Sequence, residues 1–230
     1  MKHTYICTYI LLLSCLNLLA QTTDFITGLT TPQGMAFNGN DLYVALPDAS
    51  KIIKIDVTAD TPEATDVVTG LTTPRRLFFN GNDMYITEHG ANKISKINIT
   101  DTPPIVTDVV TGLSNPQGVF VNGDDLYIAE AGRKKISKIN LAATSPTIMD
   151  VITELSYPAE LALNGNDLYV GDSGENVIYK IDLSLETPTK TEVVAVSAPA
   201  SIVLYENEIY ILENTVTQAF GSSNFIEVIE

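Results

Sequence analysis

The sequence contains no tryptophan, and only two of its 230 residues are cysteine. Both cysteines, Cys7 and Cys15, fall in the apolar N-terminal stretch. Cleavage after Ala20 leaves no thiol in the remaining chain, so no disulfide framework is expected. Aromatic residues make up only 7%, which supplies poorly the broad aromatic platforms of many glycan-binding faces. Basic residues are also scarce: 13 Lys and Arg stand against 28 Asp and Glu, a net charge of −15. That balance argues against nucleic acid or an anionic membrane as partner. It suits cationic ligands or Ca²⁺, and equally a surface that is simply soluble. Past the N-terminus no stretch approaches the roughly 18 consecutive apolar residues of a spanning helix. No segment sustains a 3.6-residue apolar period either.

The N-terminus reads as a secretory signal. Lys2 and His3 are followed by mostly apolar residues over 4–19, and Leu18-Leu19-Ala20 offers a small-residue cleavage site before Gln21. The expected exported chain, 21–230, loses Lys2 and so carries 12 basic and 28 acidic residues. Leu12-Leu13-Ser14-Cys15 resembles the lipobox of bacterial lipoproteins, but the run after Cys15 (Leu-Asn-Leu-Leu-Ala) stays apolar where a lipoprotein turns polar. A secreted or periplasmic protein is therefore expected, with anchoring through Cys15 as the alternative.

A repeat organises everything after residue 20. Pro32, Pro74, Pro116 and Pro158 are spaced by 42, and Pro199 follows at 41. Tyr43, Tyr85, Tyr127, Tyr169 and Tyr210 keep the same steps. Each unit reads as a proline-led apolar run, an Asn-Gly turn, an Asp-Leu-Tyr-Val run, a corner, a Lys-Ile-x-Lys-Ile run and a Thr-Asp-Val-Val run. The runs are short, rich in β-branched residues and bounded by turn residues, so each is a strand. Asn38-Gly39, Asn80-Gly81, Asn122-Gly123 and Asn164-Gly165 are hairpin turns, since a type I′ turn needs positive φ at both central residues. Four short strands in every unit of about 42 residues match one propeller blade, which stacks on its neighbours because one small sheet cannot bury both faces alone.

The expected fold is thus an all-β, five-bladed β-propeller of four-stranded antiparallel blades in residues 21–230. Its blades span 32–70, 74–112, 116–154, 158–196 and 199–230. Asp24, Asp66, Asp108, Asp150 and Glu192 share one column at a spacing of 42. Residues 23–28 therefore read as a fourth-type strand without a preceding first three, and 199–230 as three strands without a fourth. The N-terminal strand is expected to complete the last blade and close the ring, removing exposed sheet edges. Blade five also carries about seven extra residues within Asn214–Asn224, read as a surface insertion or a contact loop.

The units resemble NHL and YWTD-type propellers of the gluconolactonase-like superfamily. Leu113-Ser114-Asn115-Pro116-Gln117-Gly118-Val119 is similar to the L-x-x-P-x-G opening of NHL repeats, and Asp167–Ile178 to the second-strand signature of both families. The resemblance covers the whole of 21–230. It implies a propeller fold, usually of six blades where this chain counts five, and a function among binding modules, sugar lactonases and lyases.

Candidate residues come from the columns. Glu88, Glu130, Asp172 and Glu213 hold one position at the end of the second strand, with Leu46 as the exception. The resemblance implies a structural hydrogen-bonding role for them. With Glu160 they are also the weak candidates for a Ca²⁺ or other divalent site; otherwise no cofactor is expected. The lysine column Lys54, Lys96, Lys138 and Lys180 reads as solvated structural pairs. Gly171-Asp172-Ser173-Gly174 matches a serine-protease nucleophile motif but falls on a repeat corner, with His89 the sole histidine after residue 20.

Departures from symmetry point to function, because the fold does not demand them. After the leading proline the columns read Gln33/Arg75/Gln117/Ala159/Ala200 and Gly34/Arg76/Gly118/Glu160/Ser201. First strands are innermost, so these residues are expected at the channel mouth. The Arg75-Arg76 pair suits a carboxylate or phosphate. Glu160 is placed to pair with Arg76 or to bind metal. His89, Asn115 and Tyr157 are expected on the same face, and with Gln33 and Gln117 they complete the candidate ligand site. The sequence favours a non-catalytic binding module for a protein, peptide or small anionic ligand. A metal-dependent sugar lactonase and a purely structural protein are the alternatives. Glu160 is the sole acid among these mouth residues, and the first unit reads Thr30-Thr31-Pro32-Gln33-Gly34, without the Glu-Gly-Pro-like opening of gluconolactonases.

Overall fold

The computed structural model describes residues 25–205, 208–216 and 222–229. Among these every regular element is a strand, apart from two single 3-10 turns at His89–Ala91 and Ala131–Arg133. The first sheet contains β1 (Met35–Asn38), β2 (Asp41–Leu46), β3 (Lys51–Asp56) and β4 (Thr65–Thr69). The second contains β5 (Pro74–Asn80), β6 (Asp83–Glu88), β7 (Lys93–Asn98) and β8 (Thr107–Val110). The third contains β9 (Pro116–Asn122), β10 (Asp125–Glu130), β11 (Lys135–Asn140) and β12 (Met149–Ile152). The fourth contains β13 (Pro158–Asn164), β14 (Asp167–Asp172), β15 (Val177–Asp182) and β16 (Lys190–Ala195). The fifth has three strands, β17 (Pro199–Tyr205), β18 (Glu208–Val216) and β19 (Ser222–Ile229). All pairings are antiparallel and follow chain order. The hairpin turns fall where expected but are not type I′: Asn38, Asn80, Asn122 and Asn164 pair with Asp41, Asp83, Asp125 and Asp167. Glycine is therefore the first central residue, and positive φ, near +60°, falls on Gly39, Gly81, Gly123 and Gly165 alone, as in a type II′ turn.

The core lies between sheets rather than within any one of them. Tyr43, Ala45, Ile52, Val68 and Leu71 of the first unit pack on Leu77, Met84, Ile86 and Ile97 of the second. The second and third, third and fourth, and fourth and fifth sheets meet in the same way. Each fully buried isoleucine in these joints contributes roughly 1.5–3 kcal/mol, and none of the sheets could retain that burial alone. The lysine column forms its own rung of pairs, Lys54–Asp41, Lys96–Asp83, Lys138–Asp125 and Lys180–Asp167, at 2.8–3.2 Å. These pairs are half-exposed and add little.

The acidic column clamps each of the second to fifth sheets to the connector that arrives from the preceding sheet. The Thr72 and Ser114 N–H groups donate to Glu88 Oε2 and Glu130 Oε2 at 2.7 and 2.9 Å. Ser156 and Ser197 N–H donate to Asp172 Oδ2 and Glu213 Oε1 at 2.7 and 2.8 Å. In the second and third sheets a buried serine, Ser95 or Ser137, donates to the other carboxylate oxygen at 2.6 Å. The four carboxylates are therefore committed one to a sheet. No group of three His, Cys, Asp or Glu side chains comes together among the described residues.

Two further features differ from the sequence expectation. Of the anticipated strand 23–28, Thr23 and Asp24 lie outside the described residues, and Phe25–Gly28 is bend and irregular chain rather than strand. Without a pairing partner along its edge, this segment is held by apolar contact: Ile26 and Leu29 pack on Val44, Leu46, Ile53 and Ile55. The extra residues of the fifth unit also do not form a separate loop over the part described. They lengthen the β18–β19 hairpin, pairing Asn214 with Asn224, Thr215 with Ser223 and Val216 with Ser222; residues 217–221 lie outside the described residues.

Candidate functional site

The innermost strands β1, β5, β9, β13 and β17 neighbour one another in that order and together wall a cavity of about 500 Å³. A local rule decides which side chains reach it. A β-bulge follows the leading proline in the second to fifth sheets, between Pro74 and Leu77 in the second and between Pro158 and Glu160 in the fourth. The bulge sends the adjacent residues Arg75 and Arg76 to different partners.

Glycines make room for the long side chains. A Cβ at Gly34 would lie 2.1 Å from the Arg75 carbonyl oxygen and 2.9 Å from Arg76 Cα. A Cβ at Gly118 would lie 2.6 Å from the Ala159 oxygen. The alternation Gly34, Arg76, Gly118, Glu160 along one column is thus a packing solution: each long side chain follows a position where backbones approach too closely for any side chain.

Arg76 and Glu160 meet across the cavity as an ion pair, and Arg76 Nη2 also donates to the Ala200 carbonyl at 3.1 Å. One guanidinium thereby links the second, fourth and fifth sheets. Burial pushes the Glu160 carboxyl up to about 7 from its ordinary 4.5, while Arg76 pulls it down. A carboxyl raised in the folded state binds its proton more tightly there than in the unfolded chain. Its penalty is absent below pH 4.5, grows as pH climbs towards 7 and is complete above that. Glu160→Gln should therefore flatten the loss of stability between pH 5 and pH 8 by roughly 2–3 kcal/mol, measured by urea unfolding at the two pH values. Identical slopes in the two proteins would contradict the assignment.

Arg75 belongs to a second group at the mouth. Its Nη1 donates to Gln117 Oε1 at 2.9 Å, and Gln117 Nε2 donates to Asn115 Oδ1 at 2.5 Å. His89 stands beside them: burial and the Arg75 charge lower its pKa, and a hydrogen bond with Asn115 opposes the shift. The Asn115 backbone is itself fixed, with φ +50° and its N–H donating to Asn92 Oδ1 at 2.9 Å. Among the described residues Arg75 makes no ion pair, in contrast to Arg76 and Arg133, which pair with Glu160 and Glu130.

The structure thus divides the expected cluster in two. Arg75, His89, Asn115 and Gln117 form one group, and Arg76 with Glu160 the other. Gln33 is exposed on the cavity wall. Tyr157 joins neither group: its main-chain N–H donates to Asp172 Oδ1 at 2.7 Å, and its side chain is exposed. Sequence reading missed Asn92 and its counterpart Asn176, whose Oδ1 accepts from the Ala198 N–H at 2.9 Å. Their signal was an asparagine at the corner, where both hold left-handed φ. In the third unit Lys134 occupies that corner and cannot accept, so Asp172 takes the Tyr157 N–H instead.

Comparisons agree on architecture. No family model matches the sequence, and no curated protein matches it. Solved structures similar to this chain include one of a nidogen/laminin complex, at 17% identity and a TM-score of 0.69 over 80% of this chain and 73% of the other. Virginiamycin B lyase from Staphylococcus aureus is similar at 18% identity and a TM-score of 0.64, over 86% of this chain and 70% of the other. A streptogramin B lyase is similar at 19% identity and a TM-score of 0.65, over 87% and 70%. At such identities the likeness shows the fold alone, a β-propeller.

Proposed function

We propose that this chain is an exported propeller that binds a partner without transforming it, taking an anionic group of a protein, peptide or small molecule at the channel mouth. The observation that carries the reading is Arg75. In a chain of net charge −15, this half-buried guanidinium has a neutral Gln117 oxygen as its side-chain partner rather than any of the abundant carboxylates. An arginine kept from its natural counter-ions beside further polar groups is suited to an incoming anion. The nidogen/laminin complex that shares the fold supports a protein partner. The lactonase alternative looks to Glu160 as a metal ligand, and that carboxylate faces Arg76.

A thermal-shift panel of carboxylates, phosphates and sulfate tests the site. At least one anion should raise the melting temperature, and Arg75→Ala should abolish the rise. A rise that survives Arg75→Ala, or no rise with any anion, would overturn the reading.

The same reading takes the five sheets as blades of one closed ring, with the N-terminal segment as outer strand of the last. Support comes from where Ile26 and Leu29 lie. Against the first sheet they hold the place that Val68 and Leu71, 42 residues on, hold against the second. Apolar residues line both sides of this joint: Met35 and Phe37 are 66% and 61% exposed, and Val203 is 56% exposed. The counterparts of Met35, namely Leu77, Val119, Leu161 and Ile202, are at most 9% exposed, and those of Phe37 (Phe79, Val121, Leu163, Leu204) and Val203 (Phe78, Phe120, Ala162) are buried or half-buried. Closing the joint would bury on both sides the kind of surface buried at the other four.

A further inference from the structure

Resting on the mouth site just proposed, we infer that its ligand is a monocarboxylate bearing an apolar group, with the carboxylate on Arg75 and the apolar part in the cavity below. The first argument is a charge count. Above pH 7, where Glu160 is ionised, it neutralises Arg76, which leaves Arg75 as the uncompensated cation of the mouth. His89 adds none, because burial and Arg75 both hold its imidazole towards the neutral form. One positive charge in an acidic protein matches a monoanion. A phosphate monoester brings nearly two negative charges and a third oxygen for which the group has no cation.

The second argument is hydrogen-bond direction. Arg75 donates one Nη1 hydrogen to Gln117, and Gln117 passes the chain on to Asn115 Oδ1. This ordering fixes the guanidinium plane and leaves its other N–H groups, with the Asn115 amide N–H, as donors. A planar fork meets a planar carboxylate through two parallel bonds.

The third argument is the wall. Arg75, His89, Asn115 and Gln117 do not line the cavity themselves; it begins one residue on, at Arg76, and at Gly34, whose Cβ position lies 2.1 Å from the Arg75 carbonyl oxygen. Met35, Leu77, Phe78, Val119 and Leu161 are among the apolar residues that line it. Its volume of about 500 Å³ lies within the ~300–1,000 Å³ range of small-molecule sites, and the Arg76–Glu160 pair is neutral overall.

Calorimetric titration of the protein with 4-phenylbutyrate, acetate, 4-phenylbutanol and phenyl phosphate tests this. 4-Phenylbutyrate should bind at least tenfold tighter than each of the other three, and Arg75→Gln should weaken it at least tenfold. In the wild-type protein the His89 imidazole resonances, assigned by their loss in His89→Gln, should move with 4-phenylbutyrate and stay in place with the alcohol. Tighter Arg75-dependent binding of phenyl phosphate, or equal binding of acetate, would overturn the ligand class and leave the mouth site standing. No Arg75-dependent binding by any of the anions, with His89 unmoved, would remove the site itself.

Discussion

Alanine at Gly34 is expected to destabilise the protein by about 3 kcal/mol or more, at the upper end for overpacking. The new Cβ would meet the Arg75 carbonyl oxygen at 2.1 Å and Arg76 Cα at 2.9 Å. Both are main-chain atoms of a paired strand, so relief requires the first two sheets to separate along the joint that buries Ile52, Met84 and Ile86. Gly39→Ala is the control. Gly39 has nothing within 4 Å of its Cβ position and a φ of +60°, so alanine there costs only the ~1–2 kcal/mol of a left-handed L-residue. Urea unfolding of the two variants separates close approach from turn conformation; equal losses would contradict the packing argument.

Glu130→Ala is expected to cost roughly 3–5 kcal/mol, the range for breaking a buried charged network. Fully buried Glu130 accepts from the Ser114 N–H at 2.9 Å, Ser137 Oγ at 2.6 Å and Arg133 Nη1 at 2.6 Å. Truncation leaves the buried Ser137 hydroxyl and a connector N–H unpaired, which costs more than the hydrogen bonds contribute. The first sheet shows how a blade manages without the acid: Leu46 and Ile53 replace the Glu and Ser and pack under Ile26 and Leu29. The double variant Glu130→Leu/Ser137→Ile should therefore lose less than the sum of its single changes. Strict additivity in chemical unfolding would argue against a clamp that acts as a unit.

The sheets were legible because turns and strands repeat. Asn-Gly at the first hairpin and Ile with Lys in the third strand of the first four units set the pairing register locally, within a dozen residues. The acidic column was legible for the same reason, since the clamp it makes recurs in four of the five units, at Glu88, Glu130, Asp172 and Glu213. What the repeat could not convey was contact between one sheet and another. Arg75 and Gln117 are 42 residues apart and Arg76 and Ala200 are 124 apart. A column places such residues at one height without saying which of them touch. Nor did it show that a bulge turns two adjacent arginines to different partners. The reading of 23–28 failed over Phe25–Gly28 for a related reason: its pattern is that of a strand, but a strand exists only where an edge accepts its hydrogen bonds. Tyr157 was misjudged because Asp172 sits in the acidic column one carbon shorter than glutamate and holds the Tyr157 main chain, leaving the side chain to solvent.

One disulfide tests the ring most directly. Thr65 pairs with Lys54 in the first sheet; Thr23 precedes Thr65 by 42 residues, and Val228 faces Tyr210 as Lys54 faces Tyr43. With Cys7 and Cys15 removed, Thr23→Cys and Val228→Cys should join within one chain, since facing strands bring Cα atoms to about 4.5–5.5 Å, inside disulfide reach. The prediction is an intrachain bond in the monomer that raises the melting temperature. Thiols that stay free under oxidising conditions, or that link only one chain to another, would mean that the N-terminal segment does not complete the last blade.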